Sequence, residues 1–345
     1  MSKKTTILTG LLLGGAALLV WLLSSAGNRR TEAAFHTERG QVFGTYYNIR
    51  YRSTDTLHAV IMDAFARLDG SLSMFNDTSV ISRINRNEPV LVDSLFIRVW
   101  HTAEAVSTTG GGAFDMTVAP LVHVWGFGKS TSYGSHAPMT EAQLDSLRAL
   151  VGYRKVRLTA DGRIEKDDPR ITLDASAIAK GYACDLVAEA LAEAGCTDLL
   201  VDIGGEVVAR GHNSRGEAWR VGITRPQDDP DGTHNDIQEI ITTEHIDMAT
   251  SGNYRQFYYD GDQRRSHTID PRTGFPVSHN LLSATVVASS CMRADALATA
   301  CMVLGTDSAL ALIDATPDAA CYLIEAVGDT LRVRTSARWN DFCAR

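Results

Sequence analysis

Residues 255–262 read RQFYYDGD. The run 255–259 ends in Tyr259-Asp260-Gly261-Asp262, whose composition is that of a tight turn. A strand that stops at such a turn pairs most simply with the segment that follows it, in the antiparallel sense. Segments of similar character recur outward from this point. Strands are predicted over 41–51 (QVFGTYYNIRY), 154–158, 199–209 (LLVDIGGEVVA), 219–224, 238–243, 281–289 (LLSATVVAS), 319–325 and 330–334. Helices are predicted over 56–69, where positions 57, 60, 61, 65 and 68 are apolar, and over 94–108 behind an Asp93 cap. Others follow the Thr140/Gln143 capping-box pattern, run over 177–194 up to Gly195, over 293–304 up to Gly305, and over 307–314. Helices and strands do not alternate regularly. The expected class is therefore α+β, with mixed, mainly antiparallel sheets flanked by helices, rather than a doubly wound parallel sheet.

The chain has 345 residues, 44% hydrophobic and 21% charged, a balance that excludes wholesale disorder and a fibrous repeat. The net charge of −8 argues against a nucleic-acid surface. Lys3, Lys4, Arg29 and Arg30 are the only charges in the first thirty residues, so residues 31–345 carry −8 − 4 = −12. Ile7 to Ala26 are twenty largely apolar residues, enough at 1.5 Å each to cross about 30 Å of hydrocarbon. Two readings of residues 1–30 stay open: a cleaved signal peptide, with Ser24-Ser25-Ala26-Gly27 as an imperfect cleavage site, or a retained membrane anchor, which fits the length better. Both send the chain out of the cytoplasm. The six cysteines show neither a CxxC pair nor zinc spacing and read mostly as buried free thiols.

The common nucleotide and hydrolase signatures are missing. There is no GxxxxGK[ST] loop, no GxGxxG after a strand, no HExxH and no GxSxG. Four other segments stand out. Asp295 and Thr299, four apart on a helix, share a face, and an oxygen-only pair suits Mg²⁺; alone, such an Asp reads as a helix-start partner. His267 precedes Asp270-Pro271-Arg272-Thr273-Gly274, a turn by composition, and is either a base, a ring-stacking group or a structural histidine. Asp174, Ser176 and Lys180 lie near a helix start whose amides can face an anion, or form a plain cap. Gly110-Gly111-Gly112 leads into Ala113, Phe114 and Asp115, where Phe114 could pack on a ring and Asp115 could accept from ribose or ring N–H; the bland alternative is a helix stop followed by a strand.

Taken in order, these segments resemble the FAD:protein FMN transferases of the ApbE family, from about Gln41 to Gly305. The resemblance rests on Phe43-Gly44-Thr45, Ser73-Met74-Phe75 with SVISRIN at 79–85, GGAFDMTVAPLV, DASAIAKGYA, VDIGGE, TSGNY, SHTIDPRTG and ADALATACMVLG. It implies a catalytic domain over 31–345, with an FAD site between two subdomain halves. It also implies Mg²⁺, FAD as substrate, and transfer of FMN to a Thr or Ser hydroxyl of an acceptor protein with release of AMP. By motif position, Asp295, Thr299 and the Ala177 carbonyl would hold the metal. Phe43, Ser73, Met74, Phe75, Ala113, Phe114, Asp115, Asp174, Lys180, His267 and Ile269 would line the FAD site. The family often carries Met where Phe43 stands; an aromatic ring there could still stack on flavin. Its acceptors include subunits of sodium-pumping and related electron-transfer complexes and other exported flavoproteins. That places the expected chemistry at the periplasmic face of the bacterial inner membrane.

The residue types agree with that chemistry. A hydroxyl attacking the FMN-side phosphorus of FAD expels AMP, and positioning with charge neutralisation carries most of the catalysis. His267 is the expected general base because its ordinary pKa lies near working pH, with Asp270 as the alternative. Hydrolysis of FAD to FMN and AMP, or flavin binding without catalysis, are the competing functions.

Overall fold

The computed structural model describes residues 33–127, 140–227, 236–254, 257–260 and 263–343. The amino-terminal segment read as a signal or anchor lies outside these residues, and no helix among the described residues is long and apolar enough to cross a membrane. In chain order the elements begin with β1 (Ala34–Val42), β2 (Thr45–Ser53), α1 (His58–Leu72), α2 (Val80–Asn85), α3 (Ser94–Thr109) and α4 (Ala119–Val124). Next come α5 (Glu141–Arg148), β3 (Val156–Leu158), β4 (Ile164–Lys166), α6 (Ala179–Glu193), β5 (Leu199–Ile203), β6 (Glu206–Arg210), β7 (Trp219–Thr224) and β8 (Ile237–Thr243). The last are β9 (His245–Gly252), β10 (Phe257–Asp260), β11 (Gln263–Ser266), β12 (Leu281–Val287), α7 (Cys291–Leu304), α8 (Thr306–Asp314), β13 (Ala320–Val327), β14 (Thr330–Thr335) and α9 (Trp339–Cys343).

Eight strands form one sheet in the order β1-β2-β5-β6-β9-β12-β13-β14, and neighbours pair antiparallel throughout. This is the expected α+β class. Two predicted strands are in fact hairpins. The run 41–51 breaks at Phe43 (φ 51°) and Gly44 (φ 74°), and the run 199–209 breaks at Gly204 (φ 67°) and Gly205 (φ 100°). A two-residue turn with both φ positive matches the twist of the strands it joins, so apolar residues continue across it and hide the break. Strand β9 escaped sequence reading because it is buried on both faces and shows no alternation. After the glycine triplet the chain forms a short 3₁₀ turn and then α4, with Pro120 in its first turn, in place of a strand.

The sheet separates two cores. Tyr47, Ile49, Tyr51, Val201, Ile203 and Val208 pack against α1, α3, α6 and α7. Val207, Ala209 and Met248 face the other way, onto the β7–β8 ribbon and Trp339. Helix α7 is buried almost all round, and its Ala294, Ala296, Ala298 and Ala300 let neighbouring backbones approach closely. A third, smaller cluster joins Leu121, Trp125, Leu144, Val151 and Ile269. The five described cysteines, Cys184, Cys196, Cys291, Cys301 and Cys321, are buried and free, as expected for structural thiols.

Candidate active site

Four features meet at one end of the large sheet. They are the Phe43–Gly44 turn, the Gly204–Gly205 turn, the carboxy-terminal end of β9 and the start of β12. The two turns touch, since a Cβ on Gly204 would lie 2.9 Å from Thr45 Cγ2. Gly252 at the end of β9 pairs with Ser283 near the start of β12.

Helices α6 and α7 cross at this end with almost no space between them. A Cβ on Gly181 would lie 2.3 Å from the Cys291 carbonyl oxygen and 2.8 Å from Asp295 Cβ, so only glycine allows the contact. The Gly181 N–H donates to Asp295 Oδ2 at 3.0 Å. Helix α6 starts only at Ala179, so the Ala177 carbonyl stays outside its hydrogen-bond ladder. Asp185, one turn further along α6, accepts from the Cys291 and Met292 amides at 2.9 Å each and so caps α7 from a neighbouring helix. Burial pushes the Asp185 carboxyl up to about 7.

Lys180 Nζ donates to Glu206 Oε1 at 2.5 Å. Burial opposes the ammonium charge, but Glu206 and Asp295 outweigh it and hold Lys180 above the ordinary lysine range. Burial raises the carboxyls of both Glu206 and Asp295, against the pull of Lys180. Thr299 Oγ1 lies 3.4 Å from Ser251 Oγ on β9. Glu206 and Ser251 were not singled out in the sequence. Each sits inside a quoted motif, VDIGGE and TSGNY, and an acid directly after a Gly-Gly turn was the available signal.

The remaining segments are tied to this cluster. Asn85 exchanges hydrogen bonds with Leu173, Nδ2 to the carbonyl at 2.9 Å and the Leu173 amide to Oδ1 at 2.7 Å, which fixes the 73–85 segment beside Asp174. The Asp174 amide donates to the Met116 carbonyl at 2.7 Å, and Gly112 lies against Arg272. Thr268 Oγ1 donates to Asn253 Oδ1 at 2.7 Å, holding the His267 turn next to the end of β9.

The predicted lining residues differ in what they offer. Phe75 is 69% exposed and Phe43 36% exposed, its ring edge-on to Phe65. Ser73 caps the end of α1, its Oγ accepts from the Phe75 amide, and Met74 packs on the main core. Ala113 and Phe114 are buried in that core, so the Phe114 ring has no face open to a ligand and the segment offers backbone instead. Asp115 is likewise committed to the protein. Its Oδ1 accepts from the Thr117 amide and hydroxyl and its Oδ2 from the Tyr153 amide. Asp174 Oδ1 accepts from the Ser176 amide, and burial raises its carboxyl. His267 is half-buried with Phe127 edge-on at 6.3 Å. Both Asp270 oxygens accept from Arg272, through its backbone amide and its guanidinium. Ile269 sits in the third core.

Among the described residues no three His, Cys, Asp or Glu side chains cluster at metal-binding spacing. A cation here would rely on one carboxylate, one hydroxyl and one carbonyl, with its other ligands from water and substrate. That is an oxygen-only set of the kind Mg²⁺ accepts. The charges suit it too: two buried carboxylates face one ammonium, and Glu206 Oε2 is buried without a hydrogen-bond partner.

The ApbE family profile matches residues 43–323. The chain belongs to the ApbE family. A Vibrio cholerae protein named FAD:protein FMN transferase is 35% identical over 307 residues, covering 86% of this chain and 89% of that one. Its Salmonella typhimurium namesake is 30% identical over 350 residues, covering 98% of each. The ApbE flavin transferase of Vibrio cholerae superposes with a TM-score of 0.80 at 33% identity, over 90% of this chain and 99% of that one. The apo Pseudomonas stutzeri flavinyl transferase ApbE also gives 0.80, at 28% identity, over 91% and 98%. The segments of this ApbE chain span residues 43–305 in sequence, and the hydrogen bonds and close contacts above link them to one another.

Proposed function

We propose that this chain is a Mg²⁺-dependent FAD:protein FMN transferase acting on exported acceptor proteins. The observation that carries the reading is the joined set Lys180–Glu206 and Gly181–Asp295, with Thr299 one turn beyond Asp295. It couples an ammonium, held protonated by Glu206 and Asp295, to an oxygen-only cation site, a combination that suits a pyrophosphate. Bound to Asp295, Thr299 and the Ala177 carbonyl, Mg²⁺ would neutralise charge on the phosphoryl oxygens and the leaving AMP.

The chain's own residues do the rest. Lys180 faces the pyrophosphate with its proton retained. The exposed rings of Phe75 and Phe43 offer faces to the isoalloxazine. The acceptor Thr or Ser hydroxyl attacks the FMN-side phosphorus; a new P–O bond forms, the bond to the AMP phosphate breaks, and AMP leaves. His267 takes the hydroxyl proton. Asp270, held on both oxygens by Arg272, serves the turn that carries His267.

The basic flanks and uncharged core of residues 1–30 support export and tethering at the periplasmic face, with acceptors among exported electron-transfer flavoproteins. Incubation with FAD, Mg²⁺ and candidate acceptors, followed by in-gel flavin fluorescence and mass analysis, tests the reaction. His267→Asn is expected to lower transfer by about 10²–10⁴-fold and flatten its pH profile near neutrality. AMP release at the same rate with and without acceptor would favour hydrolysis instead.

A further inference from the structure

Only part of the sheet face opposite the helices is covered. Tyr47, Ile49 and Tyr51 point to the helices, so Tyr46, Asn48 and Arg50 point the other way, together with Leu200 and Asp202 of β5. The β7–β8 ribbon packs over β6, β9, β12 and β13, and beyond them it reaches Phe35 of β1 through Trp219 at one end. The space left is a groove of about 590 Å³. One of its walls is β7, from Trp219 to Thr224, and no β8 residue lines it. Among the described residues strand β7 pairs only with β8. Its edge toward the groove therefore presents unpaired backbone N–H and C=O groups, a template for an added strand.

The groove runs toward the candidate active site. At its far end Trp219 Nε1 donates to the carbonyl of Arg210, the last residue of β6. At its near end it reaches Gly204, Gly205, Thr250 and Tyr254. Gly205 directly precedes Glu206 and Thr250 directly precedes Ser251, so this end of the groove backs onto the Lys180–Glu206 and Ser251–Thr299 contacts across the thickness of one strand. The charge of the groove opposes that of the chain. Arg50 and Arg220 are exposed and make no ion pair among the described residues, while Arg215 is paired with Glu217. Asp202 is the one acid in the lining, and its Oδ1 accepts the Gly205 amide.

We propose that this groove is the docking track for the acceptor protein. An extended acidic segment of the acceptor adds to the free edge of β7, sets its carboxylates against Arg50 and Arg220, and carries the chain over the Gly204–Gly205 turn to the Asp295 side. The proposal rests on the transferase reading. The six residues of β7 span about 20 Å at ~3.3 Å per residue, so a segment of comparable length fills the track.

The test uses the full chain and a synthetic peptide of about a dozen residues, with glutamate at alternate positions and threonine at one end, beside a lysine-for-glutamate counterpart. With the acidic peptide, amide hydrogen exchange at Trp219–Thr224 should slow about tenfold or more, and with the lysine peptide it should not change. The double variant Arg50→Glu/Arg220→Glu should lose that protection and raise KM for transfer about tenfold, with AMP release to water in the absence of acceptor unchanged. Three results overturn the groove: transfer to the peptide with β7 unprotected, wild-type KM in the double variant, or β7 amides already protected in the free chain by its own leading residues. Protection of β7 with no FMN on any acceptor refutes the transferase reading instead and leaves a site for acidic strands.

Discussion

The Gly181 amide of α6 donates to Asp295 Oδ2 of α7 across a gap of 114 residues in sequence, at a point where the two helices leave no room for a β-carbon. One contact thereby sets the helix crossing and also the direction of the carboxylate proposed to hold the metal. Structure and chemistry at this point are expected to fail together.

Gly181→Ala forces a methyl against the Cys291 carbonyl, which is backbone and cannot rotate away. Overpacking of this kind costs about 1–3 kcal/mol. Thermal unfolding should fall by several degrees, and AMP release by about tenfold or more. A variant with wild-type melting and wild-type rate would show that the helices separate without consequence.

Asp295→Asn keeps an oxygen for the Gly181 amide but removes the carboxylate charge. The fold should persist, while Mg²⁺-dependent AMP release falls by about 100-fold or more. Calorimetric titration of Mg²⁺ in the presence of FAD supplies a readout independent of turnover. Unchanged Mg²⁺ affinity in the variant would remove Asp295 from the metal site.

Asp185 provides a pH signature. Its carboxyl is raised by burial to about 7, from an ordinary value of 3.8, despite the two α7 amides it accepts. The folded chain then binds more protons than the unfolded chain between these values. The stability contributed by the carboxyl is fully present below the lower value and is lost as pH rises through the upper one. Asp185→Asn abolishes the dependence, so the wild-type melting temperature should fall relative to that of the variant between about pH 5 and about pH 8. A difference constant over that range would mean the carboxyl is ionised throughout.

Phe75 is 69% exposed and lies outside the buried core clusters. Phe75→Ala should leave the melting temperature within about 1 °C and weaken FAD binding roughly three- to tenfold through loss of ring stacking. Unaltered FAD affinity by fluorescence titration would take Phe75 out of the flavin site.

The fold was legible wherever a local signal matched its outcome. The capping box at Thr140 and Gln143, the Asp93 cap and the stop at Gly305 all lie where local chemistry sets them. The hairpins at Phe43–Gly44 and Gly204–Gly205 were hidden because periodicity reports which face a residue takes, not where the chain reverses. Phe114 and Asp115 show the corresponding limit at the site. Their types suggest ring and ribose contacts, yet burial commits the ring to the core and both carboxylate oxygens to protein donors.

Sequence alone determined the class of the fold, the family and the four-residue spacing of Asp295 and Thr299, since each depends on local order along the chain. Tertiary structure decided the pairing of Lys180 with Glu206, the capping of α7 by Asp185 and the place of Ser251 beside Thr299. Among the described residues it also left one edge of β7 unpaired, in the groove that Arg50 lines. The physical reason is that charge partners, helix crossings and uncovered edges depend on distances between segments that are far apart in the chain, and nothing in either segment by itself records how near the other will lie.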